Sequence, residues 1–274
     1  MTSAVVTACA PVRLRARDWL VLQALALWPH GAYLIERALD GSDDPLGLLA
    51  LASAVGLVAW RSAQLRLVPR LPWMAVAIGC TLLANAAWVL GVPALFAGLL
   101  ASLAIAAALA AWWPQARALT PLVGLLLLAL PLVATLQFYV GFPLRVVTAE
   151  ASAWVLQVVG IDAWRSGASM LVGDRLVIVD APCSGVQMAW WGYFTACTLA
   201  STHGLPDGAF LRRLPLVGLA VLAANVLRNS VLVALESRSA GLAPALHEGI
   251  GLATLALVAI GAAVLMQQRT KEFR

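Results

Sequence analysis

A short polar motif, Asp180-Ala-Pro-Cys183-Ser-Gly185, carries a candidate nucleophile. Pro182 suits the first position of a helix, so the motif predicts that Cys183 lies in the first helical turn. The unpaired amide groups and the dipole of a helix start favour an anion, and therefore the thiolate form of cysteine. We interpret Cys183 as the nucleophile. The supporting residues in the motif are Asp180, Ser184 and Gly185.

The alternative for any cysteine in an apolar chain is that it packs like a small hydrophobic residue. Cys80 and Cys197 fit that alternative, because both fall in the middle of apolar segments. Cys183 does not fit it well, since it lies at the edge of such a segment. The spacing of the four cysteines indicates neither a metal site nor a disulfide framework.

Arg228 is the second unusual residue, in the apolar stretch Asn225-Val-Leu-Arg228-Asn229. An arginine at hydrocarbon depth costs several kcal/mol and normally faces a polar interior, where it is functional. The alternatives are that it reaches the lipid headgroups or makes a structural hydrogen bond to a neighbouring helix. Asn225 lies one turn earlier on the same helix face, so we expect it to orient Arg228.

His247 is the third unusual residue, in His247-Glu-Gly249-Ile-Gly251 at the start of the last apolar segment. Its alternative is a solvated histidine at the membrane interface. A cysteine nucleophile, a histidine acid and base and a fixed arginine charge form a coherent set for acyl transfer. This chemistry requires that three separate helices bring Cys183, Arg228 and His247 to one place.

The composition requires those helices to lie in a membrane. Hydrophobic residues make up 62% of the 274 residues and charged residues only 11%, with a mean hydropathy of +0.90. Soluble domains carry roughly 25% charged residues, so a water-soluble protein is excluded. Each span needs about 20 apolar residues, and about eight spans are predicted. They lie at 19–39, 45–60, 71–90, 92–112, 119–140, 183–202, 214–235 and 246–267.

The basic residues predict the orientation of these spans. With the N-terminus inside, 12 of the 18 lysines and arginines fall on the inner side, as cytoplasmic loops prefer. Both termini are then cytoplasmic, and Cys183, Arg228 and His247 lie near the outer face. The net charge of +5 is scattered among loops and forms no basic patch, so no nucleic-acid partner is expected.

Residues 141–182, between spans five and six, break the apolar pattern. The part from Pro143 to Gly160 has apolar residues at helical spacing and predicts an amphipathic helix in the membrane interface. Gly173-Asp174 then separates two β-rich runs, as in a hairpin. The predicted fold is an all-α polytopic membrane protein with this interfacial helix and hairpin. Its regions are a five-helix part (1–140), the outer-face segment (141–182) and a three-helix catalytic part (183–274).

From about Phe142 to Leu257 the sequence resembles the exosortase/archaeosortase family of membrane cysteine transpeptidases. The first 140 residues resemble that family only in hydropathy. Five short motifs carry the resemblance, in the family's order and with fitting separations. They are Pro143-Leu-Arg145, Val158-Val-Gly160, Cys183-Ser-Gly185, Asn225-Val-Leu-Arg228 and His247-Glu-Gly249-Ile-Gly251.

The resemblance implies a hydrolase and thiol protease for protein sorting at the outer face of the bacterial cytoplasmic (inner) membrane. Its partners would be the lipid bilayer and the C-terminal sorting signal of exported proteins, namely a Pro-Glu-Pro type motif, a transmembrane helix and a basic tail. Cys183 would be the nucleophile beside Arg228 and His247, and a thioester would be resolved by an amine or by water. No metal or organic cofactor is implied. Ala181-Pro182 departs from the acidic and small residues expected before the cysteine, which points to a different signal motif.

The residues by themselves are also compatible with two other functions. A transporter or flippase would bind an anionic group at Arg228, but it would also need buried charges in several spans, and the first five spans have few. A structural membrane subunit would use its polar residues to meet a partner. That function predicts that Cys183→Ser has no effect.

Overall fold

Apolar helices make up most of the chain. The computed structural model describes residues 15–39, 45–178, 181–237 and 243–267. Within these ranges the helices are α1 (Ala16–Ala26), α2 (Trp28–Leu39), α3 (Leu46–Trp60), α4 (Leu71–Val89), α5 (Ala94–Trp112), α6 (Thr120–Leu128), α7 (Leu132–Val158), α8 (Val186–His203), α9 (Asp207–Glu236) and α10 (Pro244–Met266).

Among the described residues, five helices are long and apolar enough to cross a membrane by length and composition. These are α4, α5, α7, α9 and α10. Small residues bring some of them close together, since alanines of α5 at positions 97, 104 and 108 are fully buried. A membrane protein is therefore confirmed, while the count of eight spans stays a prediction.

Two predicted spans are each divided into two helices. The segment 19–39 is broken at Leu27 between α1 and α2, and the segment 119–140 is broken before Pro131 between α6 and α7. Proline has no amide hydrogen to donate. It is therefore tolerated at the start of a helix, where that donor would have no partner, but in the interior it removes a hydrogen bond. Pro29 and Pro131 take such positions, and the apolar pattern alone does not show the breaks.

The predicted separate interfacial helix from Pro143 to Gly160 is wrong. Helix α7 runs without interruption over 27 residues and contains Pro143 in its interior. One lost hydrogen bond does not end a membrane helix, because neighbouring groups satisfy the freed carbonyl. At 1.5 Å per residue α7 is about 40 Å long, more than the 30 Å thickness of a hydrocarbon core.

A small antiparallel sheet follows α7. Its strands are β1 (Ala163–Ser166), β2 (Ser169–Val172) and β3 (Arg175–Ile178), in the order β1-β2-β3. The predicted hairpin around Gly173-Asp174 is confirmed as the β2–β3 connection, and β1 is an additional strand. Met170 of β2 is fully buried and packs with Ala149 and Ala153 of α7, so the sheet lies on this helix.

The last three helices pack against one another and define two ends of the molecule. The start of α8, the end of α9 and the start of α10 lie at one end, which we call the cysteine end. The opposite end, where α8 and α10 finish, is called the arginine end, because three arginines there donate to main-chain carbonyls near the ends of other helices. Arg61 donates to the Ser201 carbonyl, Arg70 to those of Ala110 and Trp113, and Arg213 to those of Leu265 and Gln267.

Candidate active site

Cys183 lies on a short 3₁₀ turn, Ala181–Ser184, between β3 and α8. Helix α8 begins at Val186, so the prediction that Cys183 lies in its first turn is wrong by three residues. Gly185 separates the turn from the helix with a φ of +80°, in the left-handed region. A residue in that region cannot continue a right-handed helix, and glycine adopts it without steric cost.

Asn225 holds the turn that carries Cys183. Its Nδ2 atom donates to the Cys183 carbonyl at 2.8 Å and to Thr148 Oγ1 at 3.1 Å. The Asn225 side chain is only 2% exposed. We expected this residue to orient Arg228, but its amide instead connects the turn with α7 and α9.

Gly185 and Ser184 fit closely into the same contact. A Cβ atom at position 185 would lie 3.0 Å from both Cγ and Nδ2 of Asn225, so a larger residue would displace the amide. The Ser184 hydroxyl donates to Gln137 Oε1 at 2.7 Å and accepts the Val186 amide at 3.3 Å. These two motif residues therefore fix the turn against α7 and α9. Asp180 lies outside the described residues.

The thiol-bearing residue packs together with residues of the sheet, α7 and α9. Cys183 is 7% exposed and belongs to an apolar cluster. Asn229 of α9 contacts both α7 and β2. Its Nδ2 atom donates to Ser152 Oγ at 3.0 Å and contacts Met170 Sδ at 3.6 Å. The other buried members of the cluster are Ala149, Ala153, Leu156, Ala163, Met170, Val172 and Val233.

Arg228 lies one turn beyond Asn225 on α9, and its guanidinium group packs against α10. A Cβ atom added to Gly251 would be 3.6 Å from Nη2 and 3.7 Å from Nε of Arg228. His247 is four residues before Gly251 on α10, and its side chain is partly buried. The guanidinium group therefore lies beside the helix that carries the histidine.

The site residues are joined in two contacting groups. Cys183, Ser184, Gly185 and Asn225 form the first, and Arg228 with Gly251 forms the second, three residues further along α9. Within the described ranges, no hydrogen bond joins the His247 imidazole to Cys183 or Arg228. The same ranges contain no group of three histidine, cysteine or acidic side chains arranged to hold a metal ion.

An apolar cavity of about 370 Å³ begins beside the turn. Ser184, Gly185 and Asn225 line one part of it, and the rest is lined by side chains of α6, α7, α8 and α9. It extends along α8 and α9 to Tyr193 and Gly218. A cavity of this lining accepts a hydrocarbon-like group rather than a charged one.

The sequence did not reveal the polar residues of α7 that support the site. Gln137 contacts Ser184, Thr148 contacts Asn225, and Ser152 contacts Asn229. These three residues are separated by helical steps of three or four residues, or by sums of such steps, and so lie on one face of α7. The sequence signal for these residues was a stripe of polar side chains along an apolar helix. It was missed because Pro143 was interpreted as the start of a separate helix.

The fold and the site define a polytopic membrane protein with a cysteine turn held between three helices at one end. Residues 38–264, most of the chain, match the family model of transmembrane exosortases (Exosortase_EpsH). The chain therefore belongs to the transmembrane exosortase family. This match also extends the resemblance over most of the first 140 residues. No curated protein and no solved structure matches the chain.

Proposed function

We propose that this exosortase is a membrane-embedded cysteine peptidase or transpeptidase that cleaves the C-terminal sorting signal of exported proteins. The observation that carries the proposal is the fixed turn of Cys183. Its carbonyl is held by Asn225, on the same helix that presents Arg228 one turn later. Preorganisation of this kind is what a nucleophile requires, because a small misplacement of the reacting atom costs much of the rate.

In the proposed reaction, the Cys183 thiolate attacks the scissile carbonyl and forms a C–S bond. The positive charge of Arg228 stabilises the oxyanion of the tetrahedral intermediate. The C–N bond then breaks, and the leaving amine of the tail takes a proton from His247. An amine or a water molecule gives a proton back to His247 as it attacks the thioester, and the thiolate is released.

The substrate must reach a thiol whose residue is buried. We propose that β2 moves away from Cys183 when a sorting signal binds, because Met170 and Val172 belong to the buried cluster that contains Cys183. The neighbouring cavity, with its apolar lining, suits an apolar part of the signal. The Pro-Glu-Pro motif or a variant of it would then lie above the cavity, at the turn.

The charges of the molecule support an orientation with Cys183 outside. Arg61, Arg70 and Arg213 lie at the arginine end, and positive residues prefer the cytoplasmic side. The start of α1 packs against the end of α5 at this same end, and α10 finishes there. We therefore propose that both termini are in the cytoplasm and that the site faces the outer side of the inner membrane.

The test compares C-terminal peptides of membrane and secreted proteins, by mass spectrometry, between cells with the wild-type protein and cells with Cys183→Ala. We expect a small set of proteins to keep a C-terminal apolar tail only in the variant. Cys197→Ala is the matched control, because that thiol lies in the main apolar core among α3, α5, α6, α8, α9 and α10. Unchanged C-termini in a well-expressed Cys183→Ala strain would contradict thiol catalysis and favour anion binding at Arg228.

A further inference from the structure

Arg145 is a charged residue in the interior of α7, a helix apolar enough to span a membrane. It lies thirteen residues after the first residue of the helix, near its midpoint. The Nε atom of its guanidinium group is buried. An arginine in such a position is costly and is normally retained for a function.

Arg145 borders the face of α7 that meets the cysteine turn. Gln137, which contacts Ser184, is eight residues earlier, and Thr148, which contacts Asn225, is three residues later. At about 100° per residue these intervals leave Arg145 about 80° from Gln137 and about 60° from Thr148 around the helix axis, at the edge of the face that bears them. Ala149, one turn after Arg145, packs in the apolar cluster with Cys183.

The guanidinium group of Arg145 has no anionic partner among the described residues. Within those ranges it makes no hydrogen bond or ion pair, and its described contact is the ring of Phe142, 5.8 Å from Cζ. The acidic residue of the same helix, Glu150, is bound by Arg165 at 2.5 Å and by Trp154 at 2.9 Å. A partly desolvated guanidinium is complemented best by a planar oxyanion, which it binds through two parallel hydrogen bonds.

We propose that Arg145 binds a carboxylate of the substrate peptide and thereby positions the scissile bond at Cys183. This inference rests on the proposed peptidase function, for which it names a specificity-determining residue. A lipid phosphate has the same charge. The peptide is favoured because Arg145 borders the α7 face that contacts the turn and α9.

The test measures binding, so that it does not depend on cleavage. The Cys183→Ala protein in lipid nanodiscs is titrated with two fluorescent peptides, Pro-Glu-Pro or Pro-Gln-Pro followed by an 18-residue leucine–alanine helix. The two peptides differ only in one carboxylate, so the comparison does not require that the natural signal share the flanking prolines. We expect the Glu peptide to bind about tenfold more tightly, as a hydrogen bond to a charged group provides. Arg145→Gln should remove this difference by weakening only the Glu peptide, and Arg145→Lys should keep part of it.

Arg165→Gln is the matched control, because Arg165 already has Glu150 as its partner. It should leave the full difference between the peptides, and each variant must elute as a single species. Equal binding of the two peptides to the protein with Arg145 overturns the proposal. An affinity that changes only with the lipid, between nanodiscs of phosphatidylglycerol and of phosphatidylcholine, also overturns the proposal. If the difference is present but cells show no Cys183-dependent cleavage, the carboxylate site stands and the peptidase function fails.

Discussion

The two ends of the molecule use polar residues in different ways. At the arginine end, Arg70 and Arg213 donate to main-chain carbonyls near the ends of other helices, at distances of 2.6 to 3.0 Å. At the cysteine end, hydrogen bonds join the side chains of different elements. These pairs are Ser184 with Gln137, Asn225 with Thr148, and Asn229 with Ser152.

Because of this difference, we expect substitutions at the two ends to affect different properties of the protein. The last carbonyls of a helix lack partners whatever its sequence, so an arginine that caps them stabilises the helix end without specifying its side chains. A pair of buried side chains requires both residues, and removal of one leaves the other unsatisfied. We therefore expect substitutions at the arginine end to lower stability, and substitutions at the cysteine end to lower the activity of each molecule.

The largest contrast is expected between two left-handed glycines, one at each end. Gly185→Ala adds a Cβ 3.0 Å from the Asn225 amide, in a conformation that costs other residues about 1–2 kcal/mol. Gly204→Ala, at the C-terminus of α8, meets the same conformational cost, but its nearest atom is at 3.9 Å. Processing of a reporter with a C-terminal sorting signal, per molecule of enzyme, should be nearly lost in Gly185→Ala and unchanged in Gly204→Ala. Equal losses in the two variants would remove the distinction between the ends.

Asn225→Ala should have the next largest effect. It removes the donor to the Cys183 carbonyl and to Thr148, and each buried acceptor left without a partner costs about 1–3 kcal/mol. Thr148→Val keeps the shape of the side chain and removes only one of these contacts, so its effect should be smaller. Reporter processing and the thermal midpoint of each variant measure the order. Wild-type processing in Asn225→Ala would show that the turn needs no such support.

Met170→Ala should expose the thiol to reagents. Met170 is fully buried in the cluster that contains Cys183, so its truncation opens space within that cluster. In a protein whose other three cysteines are alanine, the maleimide reaction of Cys183 should become severalfold faster. Leu171→Ala is the control, because Leu171 is 40% exposed and lies outside the cluster. A rate that does not change with Met170→Ala contradicts the proposed cover.

The smallest effect is expected from Arg213→Ala at the arginine end. Loss of the two hydrogen bonds to the end of α10 should lower stability by about 1 kcal/mol, with unchanged processing per molecule. Arg212→Ala removes the same charge, but Arg212 donates to Gly208 of its own helix. Thermal unfolding in detergent should therefore distinguish the two variants. A loss of processing in Arg213→Ala alone would show that the ends are coupled.

Several features of the fold could be predicted because they depend on local sequence. The Gly173-Asp174 turn specifies the β2–β3 hairpin, and the apolar segments 45–60 and 71–90 coincide with α3 and α4 to within a residue. The motif around Cys183 and its family were found in the same way. Strand β1 was missed, because the four residues Ala163–Ser166 show no clear alternation and form a strand only by pairing with β2.

The site could not be predicted fully because its contacts cross between helices. Nothing in the spacing of α9 shows that Asn225 donates to the Cys183 carbonyl, 42 residues earlier in the chain. The continuity of α7 through Pro143 was also hidden, since a proline usually ends a helix in water. The joint action of Arg228 and His247 with Cys183 stays a prediction.

The burial of Cys183 has a consequence for the redox chemistry of the protein. A thiol is oxidised to a sulfenic acid or a disulfide at a rate that follows its accessibility. Cys183 is 7% exposed, so the resting protein keeps its sulfur away from peroxides and from other thiols. Compartments outside the cytoplasm promote such oxidation. Burial of Cys183 thus preserves the reduced thiol, and under the proposed mechanism inactivation by oxidants should be fastest while the sheet is open.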